Sequence, residues 1–151
     1  MESIFSLTLR YYECEILTPG CVKVGWLQIG AAPDHEVGGD DFSWAYDGSI
    51  EEKCHAGMVE TYGKIWHVGD IVGVFLDTAD RTISFSLNGE LLVDPVAGDA
   101  AFSEIAAGES FVPAFTLGTG QNCKLNFGHN VDTLKFFTTC GLQEGYEPFC
   151  V

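Results

Sequence analysis

The chain has 151 residues, 46% of them apolar and 13% aromatic, enough for one domain with a real core and too few to expect two. Seven basic residues against 22 acidic ones give a formal charge of −15, which repels phosphate backbones and anionic lipid and so argues against nucleic-acid and membrane-surface binding. No apolar run approaches the roughly 20 residues that a membrane-spanning helix needs.

Met1 to Leu9 lacks a basic leading segment and a small-residue cleavage site, so it does not read as a signal peptide. Leu9 to Leu17 reads as a first strand, stopped by Thr18-Pro19-Gly20, and Val22 to Ile29 as a second. Gly30 to Asp41 is a loop rich in glycine and acid. Phe42 to Tyr46 forms a third strand that ends at Asp47-Gly48, and Ile50 to Gly57 continues beyond that turn.

The clearest signal follows. Gly69 to Asp77 is almost wholly apolar between aspartates, as a strand covered on both faces is. Ile83, Phe85 and Leu87 then alternate with Thr82, Ser84 and Ser86, so one face is buried and one wet. Asn88-Gly89 supplies the two residues that tolerate positive φ in a tight hairpin. Leu91-Leu92-Val93 leads into a small-residue loop, and Phe111 to Leu117 and Gln121 to Phe127 read as the last central strands. Thr133 to Thr138 is compatible with a helical turn or with extended chain. Many short strands with glycine-rich punctuation predict an all-β fold, an antiparallel β-sandwich, occupying the chain as a single domain.

The six cysteines are even in number, but a core of this size needs no stapling and their spacing is not compact, so free thiols and a reducing compartment are expected. His35, His55, His67 and His129 show no metal-ligand spacing, and Cys54 and His55 fall on opposite strand faces. No nucleophile elbow, phosphate-binding loop or dinucleotide fingerprint is present, so no catalytic residue and no cofactor are assigned. Glu13 and Asp77 invite a paired-carboxylate reading that spacing alone does not support. Ser84 follows a basic residue at a kinase-like distance but sits mid-strand. Asp77 to Asp80 fits a turn between strands.

The loop from Pro33 to Asp41 is the most chemically loaded segment. Asp34, Glu36, Asp40 and Asp41 offer oxygen ligands for Ca²⁺, but the alternation and terminal Glu of an EF-hand loop are missing, and a solvated acidic loop is the better account of them. With the loop from 94 to 110 it supplies the expected contact residues: Asp34, His35, Glu36, Asp40, Asp41, Asp94, Asp99 and Glu104. The charge favours a basic protein or peptide as partner.

Several separated motifs share the order and spacing of one family. Tyr11-Tyr12-Glu13, Val24-Gly25-Trp26, Phe42 to Gly48, Gly69 to Gly73, Ser86 to Gly89 and Phe111 to Ala114 together resemble SPRY (B30.2-like) domains over residues 11 to 128. The resemblance implies two curved antiparallel sheets of jelly-roll type, with the core at 9 to 128 and an extension from 129 to 151. It also implies peptide binding by loops along one edge, without residues that map onto known specificity positions.

A narrower resemblance runs through Pro33-Asp34, Val37-Gly38, Leu87 to Glu90, Leu125 to Gly128 and above all Cys140 to Phe149. These look like the second SPRY repeat of ryanodine receptors, and the departures at Asp40-Asp41 and Cys150-Val151 point to an invertebrate member. What that resemblance implies is a non-catalytic docking module in the cytosolic part of a homotetrameric Ca²⁺-release channel of the sarcoplasmic or endoplasmic reticulum. Such a module would contact neighbouring domains, stay clear of the bilayer and be monomeric when isolated. A SPRY peptide-recognition module of a ubiquitin ligase or adaptor is the alternative.

Overall fold

The computed structural model describes residues 9–30, 35–96, 98, 100–136 and 146–149. Eleven strands follow in chain order: β1 Leu9–Ile16, β2 Val22–Gln28, β3 Ser43–Asp47, β4 Glu52–His55, β5 Met58–Thr61 and β6 Ile71–Asp77. They continue with β7 Thr82–Leu87, β8 Glu90–Leu91, β9 Phe111–Leu117, β10 Cys123–Asn126 and β11 Glu147–Pro148. Two sheets result. Sheet A has the order β10-β1-β6-β7-β8, with β11 pairing in parallel along β1 beside β10; sheet B has the order β5-β4-β3-β2-β9. The all-β sandwich expected from the sequence is the fold observed.

The register explains the packing. Tyr12, Cys14 and Ile16 of β1 share a face with Val72, Val74 and Leu76 of β6 and with Ile83, Phe85 and Leu87 of β7. They meet Val22, Val24 and Trp26 of β2 and Trp44 and Tyr46 of β3 in one cluster between the sheets. Aromatic edges lock it: Tyr12 meets Trp26 at 5.2 Å between ring centroids, and Tyr46 meets Tyr62 at 5.3 Å, both nearly perpendicular. The Tyr12 hydroxyl crosses the sandwich and donates to the Gly25 carbonyl at 2.5 Å, so this ring also carries a polar tie between sheets.

β6 is buried almost throughout because its outer face is covered as well. There Phe75 packs on Tyr11 at 4.6 Å between centroids, and Leu134 and Tyr146 close over the pair. Glu13, which is 2% exposed, accepts from the Lys135 and Phe136 amides at 2.8 and 2.7 Å and from the Tyr11 hydroxyl at 2.7 Å. That carboxylate pins the 130–136 segment to sheet A. Within that segment a short 3-10 turn spans Val131–Thr133; of the stretch 133–138, residues 137 and 138 lie outside the described residues.

The hairpin turn at Asn88-Gly89 has φ of 50° and 86°, as expected for a turn that matches strand twist. The Asn88 side chain adds a second fastening: its Oδ1 accepts from the Ile71 amide at 2.9 Å, and its Nδ2 donates to Asp70 at 3.0 Å. No helix among the described residues is long and apolar enough to cross a membrane.

Candidate functional site

On the outer face of sheet B, register places Leu27 beside Ser43 on one side and brings Ala114 and Thr116 of β9 to the same face. Loop 35–41 lies across them and is clamped at several points. The Val37 amide donates to Thr116 Oγ1 at 2.9 Å, and the Gly38 amide donates to Ser43 Oγ at 2.7 Å. Asp40 Oδ1 accepts from the Phe42 amide and from Ser43 Oγ, at 2.9 and 3.0 Å. The Asp40 carbonyl accepts from the Ala56 amide, and the Gly38 carbonyl from the Gly57 amide. Gly38 is required here: its φ is +88°, and a Cβ would stand 2.6 Å from both Cβ and O of Cys54.

The result is a groove of about 260 Å³ between loop and sheet, bounded also by Pro113 and Phe115. Leu27, Val37 and Ala114 give it an apolar floor, and His35 and Asp40 stand at its edge. Phe115, 47% exposed on the edge strand β9, stands opposite Val24, so its side chain lies on the inner side of the sheet and not in the groove. Glu36 and Asp41 are exposed on the same loop, and Glu36 approaches the Lys23 ammonium at 3.6 Å. A preformed apolar trough with a few oriented polar groups is suited to holding a side chain of a partner.

A second cavity, about 270 Å³, lies on the outer face of sheet A among Glu13, Glu15, Lys124, Asp132 and Lys135. Its charges alternate in sign, and Glu13 is already saturated by the amides it holds. That makes it the seam of the 130–136 segment rather than a receptor for an apolar group.

The expected contact residues separate on inspection. His35 and Asp40 line the groove, Glu36 and Asp41 are exposed on the same loop without lining it, and Asp34 and Asp99 lie outside the described residues. Glu104 is exposed with φ of 56°, and its carbonyl accepts from the Arg81 guanidinium at 3.3 Å. Asp94 is a correction: it is not a surface group but is 7% exposed and ion-paired with Lys53 inside the sandwich. As a Ca²⁺ set, Glu36, Asp40 and Asp41 do not converge; among the described residues no three acidic, histidine or cysteine side chains are grouped to hold a metal ion. Asp40 spends its carboxylate on the loop's own amide and on Ser43.

Glu13 and Asp77 are likewise occupied structurally. Asp77 Oδ1 accepts from the Ala79 and Asp80 amides at 2.9 Å each, which confirms the turn between β6 and β7. His55 stacks on Trp44 at 4.7 Å with only 9° between planes, and its Nδ1 lies 2.8 Å from the Ser43 carbonyl. A carbonyl only accepts, so Nδ1 carries the proton. Cys14, Cys21, Cys54 and Cys123 are all free thiols, as expected.

The SPRY domain family model matches residues 9–130. The chain belongs to the SPRY family. The matched span starts at β1 and ends at the 3-10 turn, so it contains both sheets and the groove, while Tyr146–Phe149 lies beyond it. Among curated proteins the SPRY chain is 33% identical over 122 residues to the E3 ubiquitin-protein ligase RKP of Arabidopsis thaliana, covering 78% of this chain and 9% of that protein. It is 29% identical over 126 residues to the ATP-dependent RNA helicase DDX1 of Xenopus laevis, covering 83% of this chain and 16% of the helicase. A probable ATP-dependent RNA helicase ddx1 of Dictyostelium discoideum is also 29% identical, over 91% of this chain and 16% of its own length. The SPRY chain thus spans a small fraction of the relatives it matches. The resemblance to SPRY domains drawn from the sequence holds at the level of the family; none of these three relatives is a ryanodine receptor.

Proposed function

We propose that this SPRY domain is a non-catalytic recognition module of a larger protein, and that the groove under loop 35–41 receives a short peptide. The observation that carries this reading is the groove itself, with Leu27, Val37 and Ala114 as its floor and an acidic loop at its rim. The peptide that fits it has an apolar anchor followed closely by a lysine or arginine, which Asp41 and Glu36 attract. A chain charge of −15 favours the same partner at longer range. Similarity to a protein named as a ubiquitin ligase supports substrate recognition within such an enzyme.

The experiment is a peptide-display selection against the purified chain, followed by affinity measurements on two variants. Ala114→Trp fills the groove and is expected to weaken the selected peptide at least ~10-fold, equivalent to about 1.4 kcal/mol. Asp41→Lys is expected to reverse the preference for basic flanks. Unchanged affinity in Ala114→Trp would contradict the site.

A second reading is favoured by one further observation. The run Cys140 to Phe149, similar to ryanodine receptors, ends in a segment built into the fold: the Phe149 amide donates to the Tyr11 carbonyl at 2.9 Å, and Tyr146 meets Phe75 at 5.4 Å. In that reading the module sits in the cytosolic assembly of a homotetrameric Ca²⁺-release channel in the reticulum membrane. The loops 35–41 and 94–110 then meet neighbouring channel domains, and the free chain binds linear peptides weakly. Fractionation of the native full-length protein decides between them: a tetrameric particle in reticulum membranes supports the channel, and a ligase complex supports the first reading.

A further inference from the structure

We propose that strand β5 is a docking edge, at which an extended basic segment of a partner protein adds antiparallel to sheet B. β5 ends that sheet and pairs only with β4, and all four of its residues, Met58, Val59, Glu60 and Thr61, are exposed. The Tyr62 amide donates to the Glu51 carbonyl at 3.0 Å, which fixes the phase of the pairing. Glu60 and Lys53, like Met58 and His55, therefore exchange backbone hydrogen bonds, whereas Val59 and Thr61 turn their N–H and C=O away from β4. Among the described residues nothing bonds to those outward groups.

Sheet edges are commonly blunted against such pairing. β8 is two residues long, β9 carries Pro113 and β10 carries Lys124. β5 instead leaves apolar side chains open, Met58 at 69% exposure and Val59 at 52%. Its one charge selects the partner. Glu60 stands opposite Lys53, and its Oε1 lies 3.6 Å from that ammonium, which is already paired with Asp94. One cation thus faces two carboxylates, and a negative charge is left over at the mouth of the sandwich.

That surplus argues against a second copy of the chain as the occupant. With Val59 and Thr61 supplying the free backbone groups, two antiparallel β5 strands pair about Glu60. The glutamates of the two copies then stand directly opposite each other at the close, non-hydrogen-bonded spacing, where like charges destabilise. A charge of −15 on each chain adds to the repulsion. A partner strand with lysine or arginine at that position reverses the sign. Its two neighbours share a face with Val59 and Thr61 and are β-branched, and the residue opposite Met58 is apolar. None of the four β5 residues lines the groove under loop 35–41, so the two surfaces are distinct.

The test uses the isotopically labelled 151-residue chain and a synthetic peptide with the central run Val-Arg-Val-Leu, capped at both ends. Amide exchange at Val59 and Thr61 is expected to slow about 10-fold once about nine-tenths of the chain is bound, with the Leu27 and Ala114 amides unmoved. N-methylation of both valines removes the donors that face β5 while keeping the charge, and is expected to abolish binding. N-methylation of the arginine alters an amide that points away and is expected to leave binding intact. Val59→Pro removes a donor that does not serve β4 and is expected to keep the fold and lose the peptide. Should that variant not fold, the two N-methylated peptides decide. Equal affinity of those two peptides, or perturbation confined to loop 35–41, overturns the proposal. So does a dimer in sedimentation with Val59 and Thr61 protected, which would make a second copy the occupant.

Discussion

Lys53 and Asp94 are ion-paired between the sheets, each with a side chain only 7% exposed. Lys53 points inward from β4, donates to the Ala101 carbonyl at 2.6 Å, and lies over the rings of Tyr62 and Phe102 at 5.6 and 5.3 Å. Asp94 in turn accepts from the Val96 amide at 2.8 Å. One buried pair therefore fastens the stretch from Leu92 to Phe102 across the mouth of the sandwich. Asp94→Ala removes the nearest carboxylate from a desolvated ammonium and is expected to destabilise the fold by about 3–5 kcal/mol. Replacing both partners with leucine is expected to cost much less, because no charge is then left buried. Urea denaturation of both variants checks the order; equal losses would contradict it.

Gly38→Ala tests how rigidly the recognition loop is held. The substitution meets Cys54 backbone and Cβ at 2.6 Å and leaves a side chain at φ of +88°. Strain of this kind costs on the order of 1–3 kcal/mol. The expected outcome is a lower urea midpoint together with lost peptide binding, since the loop can relieve the clash only by lifting from Thr116 and Ser43. A variant that keeps both would show that the clamp is not needed.

Glu13→Ala removes the acceptor for the Lys135 and Phe136 amides and for the Tyr11 hydroxyl. Orphaned partly buried donors cost about 1–3 kcal/mol each before water rescues them. Amide hydrogen exchange at Lys135 and Phe136 is expected to accelerate while β2, β3 and β9 stay protected. Loss of protection throughout the sandwich would mean that the segment is integral to folding rather than a cover.

Alkaline stability follows from the buried phenols. Burial pushes Tyr46 up to about 12, against a lowering contribution from its bond to the Lys64 carbonyl, and burial raises Tyr12 and Tyr62 further in the same direction. The unfolded state loses these protons near pH ~10, where the folded state still keeps them. The folded state is thus favoured in full below ~10 and loses ground as the pH climbs toward 12, by about 2–3 kcal/mol for Tyr46 alone. Phenolate absorbance is expected to rise together with loss of strand structure by circular dichroism. Ionisation of all five tyrosines at ordinary values in an intact fold would contradict the packing.

Much of the scaffold was legible because its signals are local. Ile83, Phe85 and Leu87 alternate, Asn88-Gly89 turns the chain, and Phe111 to Leu117 matches β9 to the residue. β5 escaped notice because all four of its residues are exposed on a sheet edge, so burial imposes no alternation on Met58, Val59, Glu60 and Thr61. β11 is two residues paired in parallel with β1, and nothing nearby in sequence announces it. The acidic loop was visible as a segment, but its partners were not. Leu27, Ser43, Ala114 and Thr116 come together only through the register of β3, β2 and β9. Asp94 read as exposed because its counterion is 41 residues away, on a strand position that faces inward.

The most direct test of the recognition account is to map a selected peptide onto the isotopically labelled chain by amide shift perturbation. The account predicts shifts concentrated at Leu27, Val37, Gly38, Ser43, Ala114 and Thr116, with the Glu13 and Lys135 region unmoved. Shifts confined to the outer face of sheet A, or a chain from which no peptide can be selected, would contradict it.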